Sequence, residues 1–87
     1  MRLYMVIEHY VHGASVVYER FAEQGRMLPD GVDFIDSWIV DEPEVRTCYQ
    51  LMRAMDDAAL ERWMSRWSDL IDFDYFPVID SRAAQSR

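Results

Sequence analysis

Glu8, Asp36, Cys48 and Gln50, with Trp38 and Phe76 among them, are the residues whose types suit chemistry on a small molecule. A carboxyl group withdrawn from water has its pKa raised, which is how a general base or acid is obtained near neutrality, so Glu8 and Asp36 are the candidate proton-handling residues. Trp38 and Phe76 suit stacking on a planar ligand, and the Gln50 amide suits orienting a carbonyl or hydroxyl. Cys48 is read as a ligand-contacting core residue and not as a nucleophile, because a mid-strand thiol has neither a histidine nor a helix N-terminus beside it. Arg26 lies in the Gly25–Gly31 corner, mainly a helix stop, where its guanidinium is placed to close over a cavity mouth and hold an anionic group. His9 and His12 have Glu8 nearby, yet residues three apart on a strand face opposite ways and no third ligand is identifiable, so a solvated pair is expected and no metal. No cofactor is expected either; helix two carries no histidine that would serve as an axial haem ligand.

The elements that must position these residues follow from periodicity. Residues 2–9 alternate Leu3, Met5 and Ile7 with Tyr4, Val6 and Glu8, as a strand covered on both faces does. Ser15 is a candidate N-cap for a helix over 15–27, on which Tyr18, Phe21, Gly25 and Leu28 form an apolar stripe until Pro29-Asp30-Gly31 stops it. Strand two is placed at 32–41, and the Asp41-Glu42-Pro43-Glu44 turn returns the chain as strand three, 45–54. Asp56-Asp57 caps a second helix with Leu60, Trp63, Met64, Trp67 and Leu70 along one side, where Trp63 and Trp67 are read as core and Arg66 as a surface partner for Asp69. Strand four spans 71–79. Residues 1–80 make one domain, and 81–87 are expected to be a flexible tail.

The order β-α-β-β-α-β specifies an α+β, ferredoxin-like sandwich: a four-stranded antiparallel sheet in the order 4-1-3-2, with both helices on one face. Leu3, Met5, Ile7, Ile35, Ile39, Tyr49, Leu51, Phe73 and Tyr75 are assigned to the helix side. The open face then carries Tyr4, Val6, Glu8, Phe34, Asp36, Trp38, Cys48, Gln50, Met52, Asp74, Phe76 and Val78. Burying each large apolar group is worth roughly 1.5–3 kcal/mol, so a face of this kind is expected to be covered by a second copy, giving a homodimer packed sheet to sheet.

Composition narrows the classes further. All nine basic residues are Arg, Asp and Glu number 16, and the formal charge is −7, with no basic stripe, so nucleic acid is excluded as a partner. Apolar runs of three or four residues exclude a membrane span, and the first residues lack the features of a signal peptide. The single cysteine offers no internal disulfide, and a cytoplasmic protein is expected.

The segments Met5-Val6-Ile7-Glu8, Tyr18-Glu19-Arg20-Phe21, Gly25-Arg26-Met27-Leu28-Pro29, Asp36-Ser37-Trp38, Cys48-Tyr49-Gln50-Leu51-Met52 and Trp63 through Phe73 resemble the small bacterial family known as domain of unknown function 3303. The resemblance runs from Met1 to about Asp80; the acidic, proline-containing Asp41–Val45 hairpin and Arg53-Ala54 depart from it. Such proteins are similar in layout to the dimeric α/β barrels, which implies two protomers joined by their sheets around a small-molecule cavity. The resemblance thus implies a homodimeric small-molecule-binding protein, or a cofactor-independent enzyme of monooxygenase or isomerase type, taking a small apolar or aromatic ligand between the sheets. The competing reading is a non-catalytic dimeric sensor or protein-interaction module whose sheet-to-sheet interface is filled and dry.

Overall fold

A computed structural model describes all residues, Met1–Arg87. The chain forms β1 (Arg2–Tyr10), α1 (Ala14–Gln24), β2 (Val32–Ile39), β3 (Thr47–Ala54), α2 (Asp57–Ser65), β4 (Ile71–Val78) and a short α3 (Ser81–Gln85). The strands make one antiparallel sheet in the order β2-β3-β1-β4, the ferredoxin-like topology read from the sequence in the opposite direction. No helix is long and apolar enough to cross a membrane.

Local chemistry explains where the elements begin and end. The N-cap of α1 is Gly13 at φ 83°, not Ser15, and no side chain caps this end. The helix stops at Gln24 because Gly25, at φ 67°, turns the chain while its N–H still reaches the Phe21 carbonyl at 2.8 Å. Residues 26–30, assigned partly to the helix from sequence, are therefore loop. Asp56 does cap α2, accepting from the Ala59 N–H at 2.8 Å, and Asp57 sits in its first turn where the helix dipole favours a negative charge. Within the 81–87 segment expected to be a flexible tail, residues 81–85 form a one-turn helix capped by Asp80, with every residue exposed.

The two faces of β1 and β3 are the reverse of the sequence assignment. Tyr4, Val6, Glu8 and Tyr10 of β1 and Cys48, Gln50, Met52 and Ala54 of β3 point toward the helices and are buried. Leu3, Met5, Ile7, Tyr49 and Leu51 face away. Register fixes this, since Tyr4 lies opposite Met52, Val6 opposite Gln50 and Glu8 opposite Cys48, so the two strands invert together. In β4, Phe73 and Tyr75 face the helices as expected, and Trp63 meets Phe73 edge-on at 5.6 Å between ring centroids. A bulge in β2 between Phe34 and Asp36 shifts the alternation, so Phe34 joins the helix side opposite Met52 while Ser37 and Ile39 take over that side after it.

The core is built mainly on α2, which buries Ala59, Leu60 and Trp63 against the sheet, with Trp67 just beyond its end. From α1 only Val17 is buried; Tyr18 and Phe21, the stripe that was to seal this helix onto the sheet, stay 47% and 43% exposed. Helix α1 stands off from the sheet at this end. The reversed faces have a measurable consequence: Met52→Ala, at a fully buried site, is expected to cost about 2–5 kcal/mol, whereas Leu51→Ala on the outer face costs less than half of that. Urea unfolding of both variants at a concentration where the chain is monomeric tests this, and equal losses would refute the observed facing.

Candidate functional site

The gap beneath α1 is a cavity of about 270 Å³ between the inner sheet face and the two main helices. Its floor is Glu8 and Tyr10 of β1, Cys48 and Gln50 of β3, and Ser37 and Ile39 of β2. Val17, Tyr18 and Phe21 of α1, Trp63 and Trp67, Ile71 and the loop residue Arg26 form the walls. The volume is just below the roughly 300–1,000 Å³ range of ligand pockets, and the lining follows their usual pattern of apolar walls with a few convergent polar groups.

Two indoles hold the mouth in shape. Trp63 and Trp67 both donate their Nε1–H to the Arg26 carbonyl, at 3.1 and 2.9 Å, and Arg66 Nη1 donates to the next carbonyl, that of Met27, at 2.6 Å. Met27 itself sits at φ 58°, a left-handed conformation uncommon for a residue with a side chain. Anchored there, the Arg26 guanidinium lies 3.4 Å from the Phe34 ring centroid and 5.1 Å from that of Phe21. Arg66 was expected to pair with Asp69. Instead Arg20 of α1 takes Asp69, with two contacts of 2.7 Å that hold the Asp69 carboxyl below its ordinary range and tie α1 to the turn after α2.

The floor carries the unusual electrostatics. Glu8 is 3% exposed, and burial raises its pKa above the 4.5 of a free side chain, although hydrogen bonding from Gln50, Cys48 and Tyr10 and the Arg26 charge pull it partway back. Burial and the nearby Glu8 push the Cys48 thiol up to about 12, and burial pushes Tyr10 well above its ordinary value, so both remain protonated donors beside the carboxyl. A thiol so raised is no nucleophile. Gln50 is 7% exposed, and its side-chain oxygen is buried with no hydrogen-bond partner.

Of the residues singled out in the sequence, the pocket brings together Glu8, Cys48, Gln50 and Arg26. Asp36, Trp38 and Phe76 lie on the opposite face of the sheet, facing away with Leu51, Tyr49 and Met5, their respective register partners. Asp36 there accepts from the Ser37 N–H at 2.8 Å, while Trp38 and Phe76 are 51% and 48% exposed. Glu8 and Asp36 therefore do not share a site, because the reversal of β1 and β3 leaves β2 beyond its bulge unaffected. Tyr10, Ser37 and the aromatic walls were missed as site residues, although the Trp63 and Trp67 pair was correctly read as buried. Their signal was present in the helical spacing of the two tryptophans and in Tyr10, which continues the Tyr4, Val6, Glu8 series. His9 lies 3.9 Å from Asp74 on the outer face, and no group of three or more His, Cys, Asp or Glu is placed to hold a metal ion.

With this geometry in view, known structures give the fold a wide setting. The 30S ribosomal protein S6 of Thermotoga maritima superposes with a TM-score of 0.61 at 11% identity, covering 98% of this chain and 94% of that one. The protein PA3566 of Pseudomonas aeruginosa gives 0.54 at 17% identity, with 91% and 95% covered. The C-terminal domain of the MgtC protein of Mycobacterium tuberculosis gives 0.52 at 13% identity, with 90% and 88% covered. At such identities the likeness is one of fold alone. No curated protein matches the sequence. The profile of the domain of unknown function DUF3303 spans residues 2–86, and the chain belongs to that family.

Proposed function

We propose that this protein binds a small, largely apolar or aromatic molecule in the cavity between sheet and helices, and that Glu8 moves a proton on it without a cofactor. The observation that carries this reading is a buried carboxyl of raised pKa on the floor of an apolar cavity, next to an amide oxygen that has no partner. Such a carboxyl, once ionised, is a stronger base than a solvated one, and protonated Tyr10 and Cys48 beside it are donors for an oxygen that gains negative charge. An isomerisation needs nothing further: a proton leaves one carbon for the Glu8 carboxylate and returns to another, with no electrons gained or lost. In this reading the chemistry lies inside one protomer and not between two sheets.

The outer sheet face supports a homodimer. Trp38, Phe76, Tyr49 and Ile35 are between 38% and 51% exposed there, a large apolar patch for a chain whose formal charge of −7 otherwise favours solvation. Asp36 and Asp74 belong to its polar surroundings in this reading. A reducing, cytoplasmic setting fits the single free thiol of Cys48.

Catalysed exchange of the α-protons of 2-tetralone in heavy water, followed by NMR, tests the proton transfer. Glu8→Gln is expected to slow it at least a hundredfold, within the range of general base effects, and exchange that survives the substitution would remove Glu8 from the chemistry. The same variant reads the pKa directly. Because folding raises the Glu8 pKa, its contribution is fully present below 4.5 and is lost as pH rises through the folded value. Glu8→Gln should therefore gain stability relative to wild type as pH rises above about 4.5, whereas a pH-independent difference in denaturant midpoints would show Glu8 to be solvated. For the dimer, light scattering at micromolar concentration should give twice the chain mass for wild type and a single chain for Trp38→Glu combined with Phe76→Glu; a wild-type monomer refutes it.

A further inference from the structure

We infer that the pocket selects neutral, planar ligands carrying an N–H or O–H donor at one edge, and that Gln50 Oε1 is the group that reads this donor. The inference rests on the ligand-binding reading of the cavity and names the class of molecule it takes. Two observations meet at this point. Gln50 Oε1 is buried and unpartnered, in a residue that lines the cavity and is only 7% exposed. Gln50 also stands beside Glu8, being one of the groups that hold the raised Glu8 pKa down.

The walls set the rest of the ligand. Tyr10, Phe21, Trp63 and Trp67 present aromatic surfaces around a cavity of about 270 Å³, which suits a one- or two-ring planar molecule. Glu8 and Arg26 both line it, so once Glu8 is ionised a net charge of either sign on the ligand meets a like charge. The Gln50 oxygen is shut off from water and bonds to nothing, so a ligand meets it only where the Gln50 side chain turns its amide into the cavity. A ligand without a donor leaves this buried acceptor unpaired, whereas a ligand with a correctly placed donor supplies the bond it lacks. Discrimination of this kind, in which a missing donor leaves a buried protein group unpaired, is much steeper than discrimination by size.

Two shape-matched pairs test it: indole against benzofuran, and 2-naphthol against 2-fluoronaphthalene, titrated into ¹⁵N-labelled protein. The Gln50 side-chain amide and the Trp63 and Trp67 indole signals report both affinity and site. The donor-bearing member of each pair is expected to bind about tenfold or more tightly to wild type. In Gln50→Leu, and in Gln50→Met should the first variant fold poorly, the two members should bind within about twofold of each other, because no acceptor is left to strand. Equal affinities in wild type, with the pocket signals shifting, overturn the donor preference while leaving the cavity as a binding site. A preference that persists in both Gln50 variants assigns the reading to another residue and overturns it too. If no pocket signal moves with any of the four molecules, the ligand-binding reading fails and this inference fails with it.

Discussion

Two tryptophan N–H groups converge on one backbone oxygen, and much of the molecule is arranged around that fact. A buried indole N–H left without an acceptor loses its hydrogen bond to water, and Trp63 and Trp67 are both almost completely buried. Four residues apart on successive turns, they find the same acceptor, the Arg26 carbonyl. A loop that would otherwise wander after Gly25 is thereby fastened to α2, with its backbone turned so that the Arg26 guanidinium stacks on Phe34. The rings also hold α2 at a set height over the sheet while α1 contributes only Val17 to the core, and the unfilled space between is the cavity.

The order and type of elements were legible because each rests on a local rule: alternation for the strands, three- and four-residue spacing with an Asp cap for α2, glycine and proline for the turns. The facing of β1 was not legible from apolarity, because both of its faces are apolar, and choosing Leu3, Met5 and Ile7 over Tyr4, Val6 and Glu8 follows side-chain hydrophobicity where the ends of the strands carry the better signal. His9, Thr47 and Arg53 belong to one face, Tyr10 and Ala54 to the other, and only the second set tolerates burial. In β2 a single alternating pattern cannot describe both halves, since the bulge at Ile35 sets Phe34 and Ser37 on one side. The candidate site was accordingly half legible: Glu8, Cys48, Gln50 and Arg26 were singled out and are together, while Asp36, Trp38 and Phe76 were grouped with them across a sheet that separates them.

The buried polar pair on the sheet is a local conflict with folding. A desolvated carboxyl and an amide oxygen without a partner both cost stability that valine or leucine at the same positions would not. Their neighbours reduce the cost of Glu8 with donors but leave the Gln50 oxygen unanswered. A small domain has little stability to spare, and such a conflict is tolerated most readily where a ligand resolves it.

Pro77 has a consequence for how the chain meets others of its kind. It lies in β4, one of the two border strands, opposite Tyr4, and Asp72 and Asp74 stand on the same strand. The other border, β2, is interrupted by its bulge. A missing N–H, two negative charges and a kink are each known means of discouraging a further strand from adding to the rim of a sheet. With both rims blunted, lateral growth into an endless ribbon is disfavoured at either side, and copies that meet are left with broad surfaces to join by, contacts that end after a fixed number of chains.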